Sequence, residues 1–204
     1  MYITPTRQKL DTSGWSQGVD YSDVAYWKWD RLVSEEDCNK IISVGEAIGL
    51  KQGTVRDGVQ IDKSIRQCHL SWIDHTNNPW IHDIVWNAAT KQPWAYDIRG
   101  FIDQLQYTVY DGDDLRQDYY TWHQDIGTNM QHRKVSFTLM LSDNDEYEGG
   151  DFEILGFDGR VIRVPKFGKG SALLFPSYAR HRVTPVTKGT RKVLVAWVSG
   201  PKLK

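Results

Sequence analysis

The sequence predicts a mainly β protein, a jelly roll of antiparallel strands buttressed by helices, on two observations. Apolar residues recur at helical spacing up to about residue 98 and alternate after it, so the period changes from 3.6 to 2. The second half then holds some eight short strand-like runs separated by turn residues, the pattern of a double antiparallel sheet. The 9 Trp and 10 Tyr agree with a sheet core, although alone they equally suit a surface that stacks on sugars. With 204 residues, 40% of them apolar, one well-buried core is expected, hence one domain over 1–204 with residues 1–33 as an extension packed on it.

Residues 1–33 are polar and aromatic without a clear period, and Trp15, Trp27 and Trp29 would lay them over the body. A helix is expected from Ser34, where Ser34 and Asp37 resemble a capping box, Glu35 and Glu36 suit the positive helix end, and Ile41, Ile42 and Ile48 would form the buried stripe. The stretch 51–64, with Gly53 and Gly58, reads as a long mobile loop of functional length. Asn78-Pro79 offers a cap and a first-turn proline for a second helix buried through Trp80, Ile81, Ile84, Val85 and Ala88.

Strands follow where apolar residues alternate: around Leu105, Tyr107 and Val109, around Tyr119–Trp122, along Val135, Phe137, Leu139 and Leu141, and at 152–154, 160–164, 171–175 and 191–198. Asp158-Gly159 marks a hairpin turn. A further turn is read at Thr187-Lys188-Gly189, closing a hairpin that would set His181 opposite Val195.

Several classes are disfavoured. A formal net charge of −1, with both signs spread along the chain, leaves no basic footprint for nucleic acid or an anionic membrane surface. Cys38 and Cys68 do not make a disulfide framework, and no apolar run nears 18 residues, so a reducing, cytoplasmic setting is expected. No oligomeric state is specified.

The chemistry-bearing residues are His123, Asp125, His181 and Arg191. In a strand, His123 and Asp125 point to the same side. With a second histidine they match the two-His, one-carboxylate facial triad of non-haem Fe(II) oxygenases, which leaves positions open for a chelating cosubstrate and oxygen. Chance alone supplies about one His-x-acid pair in a chain of this composition, so the pair in isolation equally describes a solvated His beside an Asp in a turn. Arg191 would share a strand face with Val193, Val195 and Trp197, opposite Leu194, Ala196 and Val198. A buried Arg needs a partner: a structural carboxylate, or a bound anion. If the hairpin forms, Arg191 lies about 13 Å along the strand from His181, a span that its side chain and a five-carbon dicarboxylate such as 2-oxoglutarate would fill. His181 read singly is as compatible with a strand-end structural residue.

Linked segments in this order, SEEDCNKII from Ser34, LQYTVY ending at Tyr110, YTWHQD, RKVSFTLMLSDNDEYEGGDFEI, GSALLFPS and HRVTPVTKGTRKVLVAW, resemble the Fe(II)/2-oxoglutarate-dependent dioxygenases of the prolyl 4-hydroxylase type, over Ser34 to Gly200. The resemblance implies a double-stranded β-helix. It also implies iron bound by His123, Asp125 and His181, a distal 2-oxoglutarate carboxylate held by Arg191, a cosubstrate contact from Tyr110, and substrate contacts from Tyr120, Arg133 and Trp197. The ordinary readings are core packing for Tyr120 and Trp197 and a surface ion pair for Arg133. Fe(II), 2-oxoglutarate, O₂ and ascorbate follow as cofactors, and a proline-containing peptide or protein as partner. Departures are the long acidic segment 111–119, Arg191 where collagen-type relatives have Lys, and Phe152 where some relatives have a cosubstrate-binding Thr. Nucleic-acid demethylases of the superfamily place a second Arg where this chain has Trp197. A hydroxylase of a free amino acid or other small metabolite is the alternative enzyme, and a non-catalytic β-sandwich module the alternative of another class.

Overall fold

The computed structural model describes residues 24–55, 60–156 and 158–202. In chain order these form β1 (Trp27–Trp29), α1 (Glu35–Ile48), β2 (Lys51–Gln52), β3 (Arg66–Gln67), β4 (His69–Ile73), α2 (Pro79–Ala89), β5 (Leu105–Gly112), β6 (Tyr119–His123), β7 (Arg133–Met140), β8 (Tyr147–Gly149), β9 (Phe152–Leu155), β10 (Val161–Arg163), β11 (Ala172–Pro176), β12 (His181–Val183) and β13 (Val186–Ser199).

Two antiparallel sheets result, as a jelly roll requires. The larger runs β1-β11-β7-β13-β5-β4-β2 with β8 beside β13; the smaller runs β10-β9-β12-β6-β3. Their burial explains the alternation. One face of the larger sheet, with Leu105, Tyr107, Phe137, Leu139 and Leu194, packs on Cys38 and Ile41 of α1 and Ile81 and Val85 of α2. The opposite face meets the smaller sheet through Leu70, Met140, Phe152, Phe175, Val183 and Val193. The central strand β13 is thus buried on both sides, with Leu194, Ala196 and Val198 in the helix-side core and Val193 and Val195 in the other.

Local details differ from expectation in ways with physical causes. Ser34 caps α1, its hydroxyl accepting from the Asp37 amide, but the buried stripe is Cys38, Ile41 and Gly45. Ile48, at the last helical position before Gly49, is 47% exposed. α2 begins with Pro79 as expected, yet the Asn78 side chain makes no capping bond. Trp27 and Trp29 do hold the early segment to the body, as the edge strand β1 on β11; Trp15 lies outside the described residues. The stretch 51–64 is not simply a loop: Lys51 and Gln52 pair with Leu70 and His69, and Val55 bridges Gln60. Gly58 lies outside the described residues.

The expected hairpin at Thr187-Lys188-Gly189 does not exist. β12 belongs to the smaller sheet, and β13 starts at Val186 and continues through that tripeptide in the larger one. Gly189 has the left-handed φ of +74° that a turn would use, but here it stays inside the strand, paired with Tyr147 and without room for a Cβ against the Glu146 carbonyl; the register shift against β8 lies just before it, between Val186 and Lys188. His181 therefore faces β6 and β9 rather than Val195, and the 13 Å estimate along a shared hairpin falls with it.

Candidate active site

His181 and His123 are direct cross-strand neighbours on β12 and β6, which places their rings 4.1 Å apart. Asp125 follows β6, its amide bonded to the Ser177 carbonyl at 3.0 Å. Its Oδ1 lies 3.7 Å from His123 Nε2 and its Oδ2 3.6 Å from His181 Nε2. One ligand atom from each of the three lies within 4.8 Å of the others.

Second contacts aim these groups. His123 Nδ1 sits 2.8 Å from the Thr121 carbonyl and His181 Nδ1 2.9 Å from the Ala179 carbonyl. A carbonyl can only accept, so both Nδ1 atoms carry a proton and Nε2 is the nitrogen each ring turns to the site. Burial, and then the neighbouring His181, push His123 down to about 3 against the pull of Asp125, so its ring is neutral at physiological pH. The Ser136 hydroxyl donates to Asp125 Oδ2 at 2.6 Å and also lies 3.0 Å from Ser177 Oγ. Burial alone would raise Asp125, but both histidines, Ser136 and Arg133 outweigh it and hold the carboxyl below its ordinary range. Two imidazoles that turn their Nε2 atoms to one carboxylate form the donor set of a divalent iron site with open positions.

The triad opens on a cavity of about 280 Å³ between the sheets, where Tyr110, Tyr120, Arg133, Arg191 and Trp197 also reach its lining. Arg191 is 2% exposed. Among the described residues its Nη2 reaches only Met140 Sδ at 3.7 Å, and its buried Nε has no hydrogen-bond partner. The structural-carboxylate alternative for this residue therefore finds no carboxylate among the described residues. Tyr110, opposite Arg191 in the β5–β13 register, holds its ring centre 5.5 Å from the guanidinium carbon. Gly150 leaves room for this arginine, since a Cβ there would lie 2.9 Å from Arg191 Cδ.

Tyr120 stacks on His123 at 3.5 Å. Arg133 is not at the surface: only 8% exposed, it forks onto Asp103 at 3.0 and 2.8 Å, bonds the Asp125 carbonyl at 3.2 Å and lies 3.9 Å over the Trp197 ring. Trp72 stands 6.1 Å from Trp197.

Sequence reasoning missed Arg66, Asp103 and Ser136. For Ser136 a signal existed: in a strand whose Val135, Phe137 and Leu139 face one core, Ser136 and Thr138 must face the other side. Arg66 and Asp103 lay in stretches without a period and gave none. The acidic segment after Tyr110 folds on itself: Arg116 bonds Asp118 at 2.8 Å and His69 at 2.7 Å, filling the second group of close ligand atoms, His69, Asp111 and Asp118.

Residues 105–199 match the family model described as the 2OG-Fe(II) oxygenase superfamily. A PKHD-type hydroxylase of Gloeothece citriformis is 47% identical over 73 residues, 36% of this chain and 32% of that protein; the chain spans about a third of the length of the curated relatives it matches. Among solved structures, a Pseudomonas putida prolyl-4-hydroxylase superposes with a TM-score of 0.68 at 18% identity, over 89% of this chain and 96% of that one. A Trichoplax adhaerens prolyl hydroxylase, solved with a hypoxia inducible factor peptide fragment, gives 0.70 at 16% identity, over 88% and 86%. The resemblance read from the motifs is thereby met, and the fold is that of these jelly-roll oxygenases.

Proposed function

We propose that the protein is an Fe(II)- and 2-oxoglutarate-dependent dioxygenase that hydroxylates a prolyl residue in a peptide or protein. The observation that carries this reading is a buried Arg191 whose Nε has no partner, in the same cavity as two imidazoles and a carboxylate. His123 Nε2, Asp125 and His181 Nε2 would hold the iron. Bound Fe(II) supplies, with 2-oxoglutarate and O₂, oxidative decarboxylation to succinate and CO₂ and delivery of one oxygen atom to a C–H bond.

The chain's own groups do the rest. The Thr121 and Ala179 carbonyls fix the histidine tautomers, and Ser136 occupies Oδ2 of Asp125 so that Oδ1 is left to bind. Arg191 offers a fork for the distal carboxylate of 2-oxoglutarate, with Tyr110 beside it. Phe152, Phe175, Val183 and Val193 line the cavity and keep water from the reacting centre. Arg133, held rigid by Asp103, and Trp197 form a fixed wall where a prolyl ring would lie, and Tyr120 lines the same cavity. Ascorbate is expected to sustain turnover, and the two buried, unpaired cysteines suit a reducing cytoplasm.

Anaerobic titration with Fe(II) and 2-oxoglutarate should develop the weak metal-to-ligand charge-transfer band, and proline peptides should gain one oxygen. Replacing His123, Asp125 or His181 by Ala should remove both signals. Succinate formation at the wild-type rate in any of the three would take that residue out of the reading.

A further inference from the structure

The cavity contains a third buried arginine, and the reading above leaves it unused. Arg66, on β3 at the edge of the smaller sheet, is 7% exposed and lines the same cavity as Arg191. Among the described residues its contacts are all to neutral acceptors: Nε to Cys68 Sγ at 3.1 Å, Nη1 to the Thr54 carbonyl at 3.3 Å and Nη2 to Gln106 Oε1 at 2.5 Å. One N–H on each terminal nitrogen remains unassigned, and no carboxylate pairs with the group among the described residues. A buried guanidinium without a counter-charge is costly.

The other charges of the cavity balance without it. Arg133 is neutralised by Asp103. Asp125 and a bound dicarboxylate would carry three negative charges, matched by a ferrous ion and Arg191. Among the described residues lining the cavity, Arg66 alone is left over. Its place relative to the donors is also set: the guanidinium carbon lies 4.7 Å from the Tyr120 ring centre, which lies 3.5 Å from that of His123, bounding its distance to the His123 ring at about 8 Å. Gln106, its partner, and Tyr110 stand four residues apart on β5, and the Tyr110 phenol lies within electrostatic reach of both Arg66 and Arg191, so both arginines bear on one wall of the cavity, and with Arg191 assigned to the cosubstrate Arg66 is left to a second anion.

We infer that Arg66 is the receptor for a carboxylate on the molecule to be oxidised, carried within a few bonds of the carbon attacked. The inference rests on the dioxygenase reading and narrows its substrate. Two N–H donors on a planar group match the two oxygens of a carboxylate. The carboxylate has two sources: the α-carboxylate of a free amino acid or chain end, or an acidic side chain beside the target in a peptide.

The test is a set of matched pairs given to the wild-type enzyme with Fe(II) and 2-oxoglutarate: L-proline and L-prolinamide, N-acetyl-glycyl-proline and its amide, and end-blocked peptides with Asp or Glu against Asn or Gln next to proline. In at least one pair the acid should exceed its neutral partner at least tenfold in kcat/KM, and the pair concerned identifies the source. Arg66→Gln should bring that ratio close to one; Arg66→Lys, which keeps the charge but not the fork, should give an intermediate ratio and covers the case in which the Gln variant does not fold. In the Mn(II)-loaded wild-type protein with 2-oxoglutarate under nitrogen, the preferred acid should raise the thermal midpoint and its neutral partner should not. Equal use of both members in every pair, use of neither, or a preference unchanged in the variants overturns the assignment. Failure of the wild-type protein to consume 2-oxoglutarate with Fe(II) would instead sink the dioxygenase reading beneath it.

Discussion

At the scale of single residues, the site is built from groups that the fold leaves short of partners or ties down. Arg191 is the clearest case of the first, with an unpartnered Nε at 2% exposure. Arg191→Met removes the fork, a loss of about 2–5 kcal/mol for a desolvated charge pair. The KM for 2-oxoglutarate should therefore rise by one to several orders of magnitude in steady-state kinetics, while metal affinity without cosubstrate stays near wild type. A KM left at its wild-type value would place the anion elsewhere. Ser136 is a case of the second, since its hydroxyl holds Asp125 Oδ2 at 2.6 Å. Ser136→Ala should weaken Mn(II) binding about 10–100-fold, the usual cost of losing a group that orients a ligand, and competition against a chelator measures it. Affinity equal to wild type would show that Asp125 needs no such support.

At the scale of elements, the sequence disclosed strands better than their partners. The alternation along Leu105–Val109 and Val135–Leu141 named two central strands because each faces a core that tolerates no polar side chain. Gly189 misled because a left-handed glycine serves a turn and the close approach of a neighbouring strand equally well, and only the long-range pairing of β13 with β5, β7 and β8 decides between them. The facing of His123 and His181 was illegible for the same reason: it is a register between strands far apart in the chain. Asp103, just before β5, joins that strand's entry to β7 through its pair with Arg133. Asp103→Asn would leave Arg133 buried without its counter-charge, costing about 3–5 kcal/mol and lowering the thermal midpoint by several degrees; an unchanged midpoint would show that the pair contributes nothing. Burial raises the Asp103 carboxyl, but Arg133 and His132 outweigh it and hold it below the ordinary aspartate range. Its stabilisation is therefore intact above the ordinary carboxylate pKa and is lost as the pH falls through the lowered folded value. The difference in stability between wild type and Asp103→Asn should shrink in that acid window and stay constant near neutrality.

At the scale of the whole molecule, the residues that build the candidate site come from both sheets: His123 and His181 from the smaller, Arg191 and Ser136 from the larger. Whatever binds them ties the sheets together and binds only the folded chain, so its affinity adds to stability. Mn(II) should raise the thermal midpoint and 2-oxoglutarate should raise it further. Arg191→Met should keep the first increment and lose the second; an increment from 2-oxoglutarate that survives the substitution would contradict the clamp. The two-sided burial of β13 also bears on how this protein can acquire new substrates. Leu194 and Ala196 pack on the helix-side core while Val193 and Val195 line the cavity, so one backbone carries both structural and recognition duty, and packed interiors pass small displacements on. Selection for a different substrate would find the β13 wall nearly frozen, and variation would be channelled to the rim around Trp72 and Met130, where a change of side chain leaves the central strand where it is.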